Sequence, residues 1–388
     1  MGVAGMNRRI VFLTGTRADF GKLKPLMHAV DGCPLFEGAV FVTGMHMLSR
    51  YGLTIDEVTK AGFSRIHGFM NQFRGEPSEH ILANTITGLS RYVQEYEPEM
   101  IVVHGDRVET LAGAIVGALR NVLVAHIEGG ELSGTIDETI RHAVSKLAHL
   151  HFVANREAAE RLRQLGERPG SIYVIGSPDI DVMLSGKLPD LGSVRRRYGI
   201  EAHVYGIVLF HPVTTEPRAQ NRAARELVSA LVESGLDYVV IYPNNDPGSD
   251  AILDEYAALD GKPRFKLLPS MRFEFFLTLL KHARVIVGNS SAGIREAPVY
   301  GVPTVNVGSR QHNRFRYESI LDVPDDRAAI IDAIARAREM DGIPPSRFFG
   351  DGHSAPRFLD ALLDGSVWDT QRQKQFCDMD GATALALT

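Results

Sequence analysis

The chain has 388 residues, of which 44% are hydrophobic and 23% charged. At roughly 150 residues per domain that length suits about two domains, and the composition excludes an intrinsically disordered chain. The 42 basic and 47 acidic side chains (net −5) form no long like-charge run, which argues against nucleic acid and membrane surfaces as partners.

Residues 1–6 read as a frayed leader, because they lack the pattern for myristoylation and no apolar signal region follows. Beyond them, short β-branched runs alternate with amphipathic stretches, the pattern of parallel α/β architecture. Strands are expected at 10–14, 39–43, 101–104, 123–127, 151–154 and 173–175, with helices at 21–30, 78–95, 107–119, 138–148 and 156–165. After Gly176-Ser177-Pro178 the pattern restarts, with strands at 206–210, 238–242, 265–268, 285–287 and 304–307 and helices at 223–233, 273–282 and 327–338. The Gly-, Pro- and Asp-rich stretch 186–192 reads as a linker. The expected organisation is a first Rossmann-like domain over 7–178, a second over 179–365, and a C-terminal segment over 366–388. Two doubly wound domains in tandem place a cleft between the carboxyl ends of their sheets, where ligands bind in such folds.

Cys33 and Cys377 stand near opposite ends, which rules out a disulfide framework and a CxxC site and suits a reducing cytoplasm. No apolar run approaches a membrane span. The first strand runs into Thr14-Gly15-Thr16-Arg17-Ala18-Asp19-Phe20-Gly21-Lys22. The glycine spacing and Leu23 fail the P-loop pattern, and no GxGxxG fingerprint is present, so a nucleoside triphosphatase and a nicotinamide dehydrogenase are both set aside. Arg17 and Lys22 near a helix start suit a phosphate, and the same segment also reads as a solvated turn.

Carboxylates then follow successive strand tips: Asp106 beside Arg107, Glu128 in His126-Ile127-Glu128-Gly129-Gly130-Glu131, and Asp137 in Thr135-Ile136-Asp137-Glu138. Each alone reads as a helix cap; together they can converge for acid/base chemistry. In the second half His211 stands at a strand tip, and Asn289-Ser290-Ser291 opens a helix whose N–H groups and hydroxyls suit a diphosphate, with Glu296 placed for ribose hydroxyls. The Asp179-Ile180-Asp181 triplet, the scattered histidines and the absent GxSxG elbow give no metal site and no acyl-enzyme serine.

Six blocks in order carry a resemblance: TGTRADFGKLKPL (14–26), HGDRVETLAGA (104–114), HIEGGELSGTIDETIRH (126–142), FHPVTTE (210–216), YPNND (242–246) and GNSSAGIREAPVYGVPTVNVGSRQ (288–311). The chain resembles the hydrolysing UDP-N-acetylglucosamine (UDP-GlcNAc) 2-epimerases of sialic acid biosynthesis, of the bacterial capsule type, over about residues 9–314. The resemblance implies a GT-B-like fold with the active site in the interdomain cleft and a C-terminal segment crossing back to the first domain. It implies conversion of UDP-GlcNAc and water to N-acetylmannosamine (ManNAc) and UDP, through elimination to 2-acetamidoglucal and hydration, with no cofactor. It assigns catalysis to Asp106, Glu128, Asp137 and His211, and UDP contacts to Arg17, Arg107, Asn244, Ser290, Ser291, Glu296 and Arg310, with Lys22 matching a basic residue of the first loop. Gly21 departs from the animal enzymes, which have a serine there that contacts UDP. A homodimer or homotetramer is expected.

The rivals are a non-hydrolysing epimerase giving UDP-ManNAc, a hydrolysing epimerase of UDP-diacetamidobacillosamine, a GT-B glycosyltransferase and a non-catalytic sensor. The non-hydrolysing enzymes typically read GTRPE where this chain has Gly15-Thr16-Arg17-Ala18-Asp19, and the GGELSGTIDE block also favours hydrolysis.

Overall fold

The computed structural model describes residues 7–377 other than 134, 214, 215, 217, 245 and 247; the leader and the end of the crossing segment, 378–388, lie outside the described residues. The first half runs β1 (Arg8–Thr14), α1 (Arg17–Asp31), β2 (Phe36–Val42), α2 (Ile55–Lys60), β3 (Ile66–Gly68), α3 (Ser78–Tyr96), β4 (Met100–His104), α4 (Val108–Leu119), β5 (Leu123–Ile127), α5 (Ile136–Leu147), β6 (Leu150–Val153), α6 (Arg156–Gln164) and β7 (Ile172–Val174). Its strands pair in parallel in the order β3-β2-β1-β4-β5-β6-β7. Alternate residues of β1 feed two cores: Ile10 and Phe12 pack on one face with α1, and Val11 and Leu13 on the other with α3 and α4. Burial on both faces is why β4 and β5 read as unbroken apolar runs.

The second half runs α7 (Pro178–Leu184), α8 (Leu191–Tyr198), β8 (Tyr205–Leu209), α9 (Gln220–Glu233), β9 (Asp237–Ile241), α10 (Ser249–Tyr256), β10 (Phe265–Leu268), α11 (Phe273–Lys281), β11 (Val285–Gly288), β12 (Thr304–Val307), β13 (Ile320–Val323), α12 (Arg327–Glu339) and α13 (Ser354–Leu363). Its parallel sheet has the order β10-β9-β8-β11-β12-β13. Strand order reverses beside β1 and beside β8, so each domain has its switch point at the end of its first strand. The two sets of strand ends face one another across a cleft of about 340 Å³, in the GT-B-like arrangement.

Several local expectations shift. Helix α1 starts at Arg17 rather than 21, because Thr16 and Asp19 form a capping box that the apolar pattern does not register. Edge strands β3 and β13 were not expected, since both are partly exposed and lack an apolar run. The small-residue segment after β11 is not an α-helix but two 3-10 turns, Ser291–Gly293 and Ala297–Tyr300, with Pro298 in the second unable to donate an N–H. The linker stretch ends in the cap of α8, where Asp190 accepts the Ser193 N–H at 2.9 Å. The return to the first domain begins at α13, within the stretch assigned to the second. Phe358, Ala361 and Leu362 of α13, followed by Val367 and Trp368, join the first-domain core. Asp181 caps α13 through the Ser354 and Ala355 N–H groups, both at 2.8 Å, so this acid of the Asp-Ile-Asp triplet is structural.

Candidate active site

The cleft is lined by every one of the twelve side chains singled out above: Asp106, Glu128, Asp137, His211, Arg17, Lys22, Arg107, Asn244, Ser290, Ser291, Glu296 and Arg310. The first turns of α1, the loops after β4 and β5 and the start of α5 bring the first-domain members; the segments after β8, β9, β11 and β12 bring the others.

Asp106 and Asp137 form the first acidic pair. Asp106 is ion-paired with Arg141. Burial alone would raise its pKa, but Arg141, Arg314, Arg310 and His104 outweigh burial and hold it below the ordinary carboxylate range. Asp137 moves the other way: burial, then the neighbouring Asp106 charge, push it up, and Arg310 at 3.4 Å only partly offsets them. Neighbouring carboxyls whose environments drive their pKa values apart are the arrangement that lets one take a proton while the other gives one.

Glu128 belongs to a deeper cluster. It sits at φ +64°, a left-handed conformation unusual for a non-glycine residue. At Gly130, two residues on, a Cβ would come within 2.2 Å of the Ala158 carbonyl oxygen, so only glycine permits this turn. Glu128 Oε1 accepts from Arg295 Nη2 at 2.7 Å and from Ser177 Oγ at 2.5 Å, and Oε2 lies 3.3 Å from His104 Nε2. Burial opposes ionisation of Glu128, but Arg295, Lys22 and His104 hold its pKa well below the usual value. The Lys22 ammonium lies 3.1 Å from Glu296, 3.4 Å from Asp179 and 3.9 Å from Glu128. Those charges outweigh burial and raise its pKa. Lys22 therefore lies a turn inside α1, among carboxylates. Glu296 is pushed up, by burial first and by Asp179 against the pull of Lys22.

The second-domain wall is mostly neutral. His211 is held by Asn289, whose Oδ1 accepts the His211 N–H at 2.7 Å and whose Nδ2 donates to the His211 carbonyl at 2.9 Å. His211 Nδ1 accepts the Asn244 N–H at 3.1 Å, which places the ring proton of the neutral form on Nε2. Burial, then Arg310 and Arg107, lower its pKa to about 3, so the ring is neutral with Nε2–H as its donor. Ser290 caps the following 3-10 turn by accepting the Ala292 N–H at 3.3 Å. Arg310 bridges the Asn289 carbonyl (3.3 Å) and Asp137. Arg17 donates to Ser270 Oγ and to Glu57 Oε1, each at 2.7 Å. Gly21 faces the second domain, where a Cβ would meet the Phe273 side chain at 2.6 Å, so close contact between domains accounts for the missing serine.

Sequence reasoning missed Arg141, Ser177, Asn289, Arg295 and Arg314. Arg141 was accessible, since it stands one turn beyond Asp137 on the same helix face, and so was Asn289, at the tip of β11 beside Ser290; the others carry no local signal. Among the described residues, no group of three or more His, Cys, Asp or Glu could hold a metal ion, and no helix is long and apolar enough to cross a membrane.

Residues 28–363 match the UDP-N-acetylglucosamine 2-epimerase family. A UDP-N-acetylglucosamine 2-epimerase of Neisseria meningitidis serogroup B is 48% identical over 376 residues, covering 96% of this chain and all of that one. A hydrolysing UDP-N,N'-diacetylbacillosamine 2-epimerase of Legionella pneumophila is 31% identical (92% and 96% covered). The polysialic acid biosynthesis protein P7 of Escherichia coli is 33% identical (84% and 85% covered). A crystal structure of a UDP-GlcNAc 2-epimerase from Neisseria meningitidis bound to UDP-GlcNAc superposes with a TM-score of 0.76 at 17% identity, covering 92% of this chain and 99% of that one, which supports the fold.

Proposed function

The chain belongs to the UDP-N-acetylglucosamine 2-epimerase family, and we propose that it is a hydrolysing member, releasing ManNAc and UDP from UDP-GlcNAc for sialic acid biosynthesis. The observation that carries this reading is the meeting of Asp106, Glu128, Asp137 and His211 in one cleft, with Asp106 and Asp137 driven apart in acidity.

In the α-linked substrate the anomeric diphosphate and the C2 hydrogen are trans-diaxial, so elimination is anti. A carboxylate kept ionised, as Asp106 and Glu128 are, suits removal of the C2 proton. On the other face His211 Nε2–H, Arg310 and the Ser290–Ser291 turn take the charge that develops on departing UDP, the largest single contribution in a closed cleft. Hydration of 2-acetamidoglucal then delivers a proton to C2 from the opposite face, a task that suits the raised Asp137 carboxyl. Elimination and hydration involve no net oxidation, so no nicotinamide is required.

Hydrolysis is favoured by the Gly15-Thr16-Arg17-Ala18-Asp19 and GGELSGTIDE blocks and by the Legionella relative. The Neisseria relative favours GlcNAc as the sugar, and the polysialic acid protein favours the pathway. A cytoplasmic location, suited to two free cysteines, and a homodimer or homotetramer belong to the same reading.

Proton NMR of the purified protein with UDP-GlcNAc tests it: UDP and free ManNAc should appear together, and in D₂O the ManNAc should carry one deuterium at C2. Accumulating UDP-ManNAc without free sugar would move the chain to the non-hydrolysing group. Inert UDP-GlcNAc with rapid cleavage of the diacetamido sugar would change the substrate.

A further inference from the structure

One wall of the cleft has a second room behind it. Glu131, Arg295 and Arg314 line the cleft and also a cavity of about 280 Å³, bounded on its far side by Asn155, Arg161 and Phe349. At roughly 30 Å³ per molecule of liquid water, that space suits several waters. All three shared side chains have a buried polar atom without a described partner, Arg295 Nε among them. Glu131 is 8% exposed; its Oε2 is ion-paired with Arg295, while its Oε1 is buried and accepts no hydrogen bond from the described residues. Arg314 Nε is likewise buried and donates to none of them. Buried polar atoms of this kind are ordinarily satisfied by a ligand or an ordered water.

The wall also adjoins the chemistry. Arg295 bridges Glu128 and Glu131 through its two terminal nitrogens. The Glu131 carbonyl accepts from Arg141 Nη1 at 3.1 Å, and Arg141 is the partner of Asp106. Arg314 lies close enough to Asp106 and Glu131 to feel both charges.

We propose that Glu131, with Arg314, holds the water that adds to C1 of the 2-acetamidoglucal, and that this water enters from the second cavity while UDP fills the front of the cleft. The assignment rests on the hydrolysing reading and names a residue for its second half. In that step the water oxygen bonds to C1, the C1=C2 electron pair takes a proton at C2 from the acid side chain, and the proton lost by the water passes to Glu131. A route from behind matters because a nucleotide still in the cleft shuts out bulk water.

The test is to quantify UDP, ManNAc and 2-acetamidoglucal by proton NMR for the full-length chain and for Glu131→Gln and Arg314→Gln. With the wild-type chain ManNAc should match UDP. In Glu131→Gln the glycal-to-ManNAc ratio should rise at least tenfold, while UDP release falls by less than tenfold. Arg314→Gln should shift the ratio in the same direction; because Arg314 Nε holds no described partner, this variant keeps the test alive even if Glu131→Gln misfolds after its Arg295 pairing is weakened. Arg314→Gln releasing UDP and ManNAc in the wild-type proportion, or losing both together with no glycal, would overturn the assignment. A wild-type chain that makes no free sugar would instead overturn the hydrolysing reading on which it stands.

Discussion

Asp106 and Asp137 come from neighbouring loops of one sheet, whereas Glu128, Asp179 and Glu296 meet around Lys22 only because two domains close together. In the first pair the contrast in acidity comes from Arg141, joined by Arg314 and Arg310 of the second domain, on one carboxyl, and from burial and then like charge on the other. In the second cluster four buried acids, Glu128, Glu131, Asp179 and Glu296, share two buried cations, Lys22 and Arg295. Glu296 is the acid of this cluster whose pKa rises, through burial first and then the Asp179 charge, which Lys22 and Arg295 do not fully offset. The first pair thus takes its leading ion pair, Arg141 with Asp106, from its own domain, whereas the second cluster forms only on assembly.

The largest effects should come from the carboxylates themselves. Asp106→Asn and Glu128→Gln should each lower kcat by about 10²–10⁴, with UDP affinity, measured by calorimetry, changing far less. Near-wild-type turnover in either variant would remove that residue from the acid/base set and leave it a cap or an ion-pair member.

Lys22→Met tests the cross-domain cluster directly. Removing the shared cation leaves three buried acids short of charge, a loss of about 3–5 kcal/mol for a broken buried pair, read from urea unfolding. A change below about 1 kcal/mol would mean that the domains part readily and let water reach the acids.

Acidification separates the clusters from the buried histidines. His46, His126 and His211 have folded-state values lowered to about 4, about 3 and about 3, all mainly by burial. Below about pH 6.5 the unfolded chain binds protons that these folded rings refuse, so stability falls as pH drops, by up to about 1.4 kcal/mol per unit for each. The depressed acids Asp106, Glu128 and Asp179 act later: the stability they contribute is present above the unfolded value near 4 and is lost below it. Unfolding free energy should therefore decline from about pH 6.5, and a flat curve to pH 5 would contradict the neutral burial of the rings.

The smallest effect belongs at the mouth of the cleft, where Arg50 and Arg74 reach the exposed Asp250 across the domains at 3.2 and 3.3 Å. Arg74→Ala should change stability by less than about 1 kcal/mol and leave both clusters intact. A larger loss would show that closure depends on this surface clasp.

Much of the site was accessible without coordinates because its members stand at strand tips. Where an apolar run stops and glycine or a polar turn begins, the next residues sit at the carboxyl end of a parallel sheet. That local rule located Asp106, Glu128, His211 and Ser290, and Asp137 followed from the capped start of α5. The same rule passed over β3, β13 and the capped start of α1, where exposed edges and side-chain capping leave no apolar period to read.

By itself, then, the sequence determined the two parallel sheets, the order of their loops and the residue types that meet in the cleft, because periodicity and turn chemistry act within a few residues. Tertiary structure alone decided which charges answer which. Arg295 reaches Glu128 across 167 positions and Ser177 across 118. Lys22 meets Glu296 only when the domains face each other, and α13 chooses the first core over the second by the fit of Phe358 and Leu362. The direction in which each carboxyl shifts follows from those long-range neighbours, since electrostatic environment depends on distance in space and not on position in the chain.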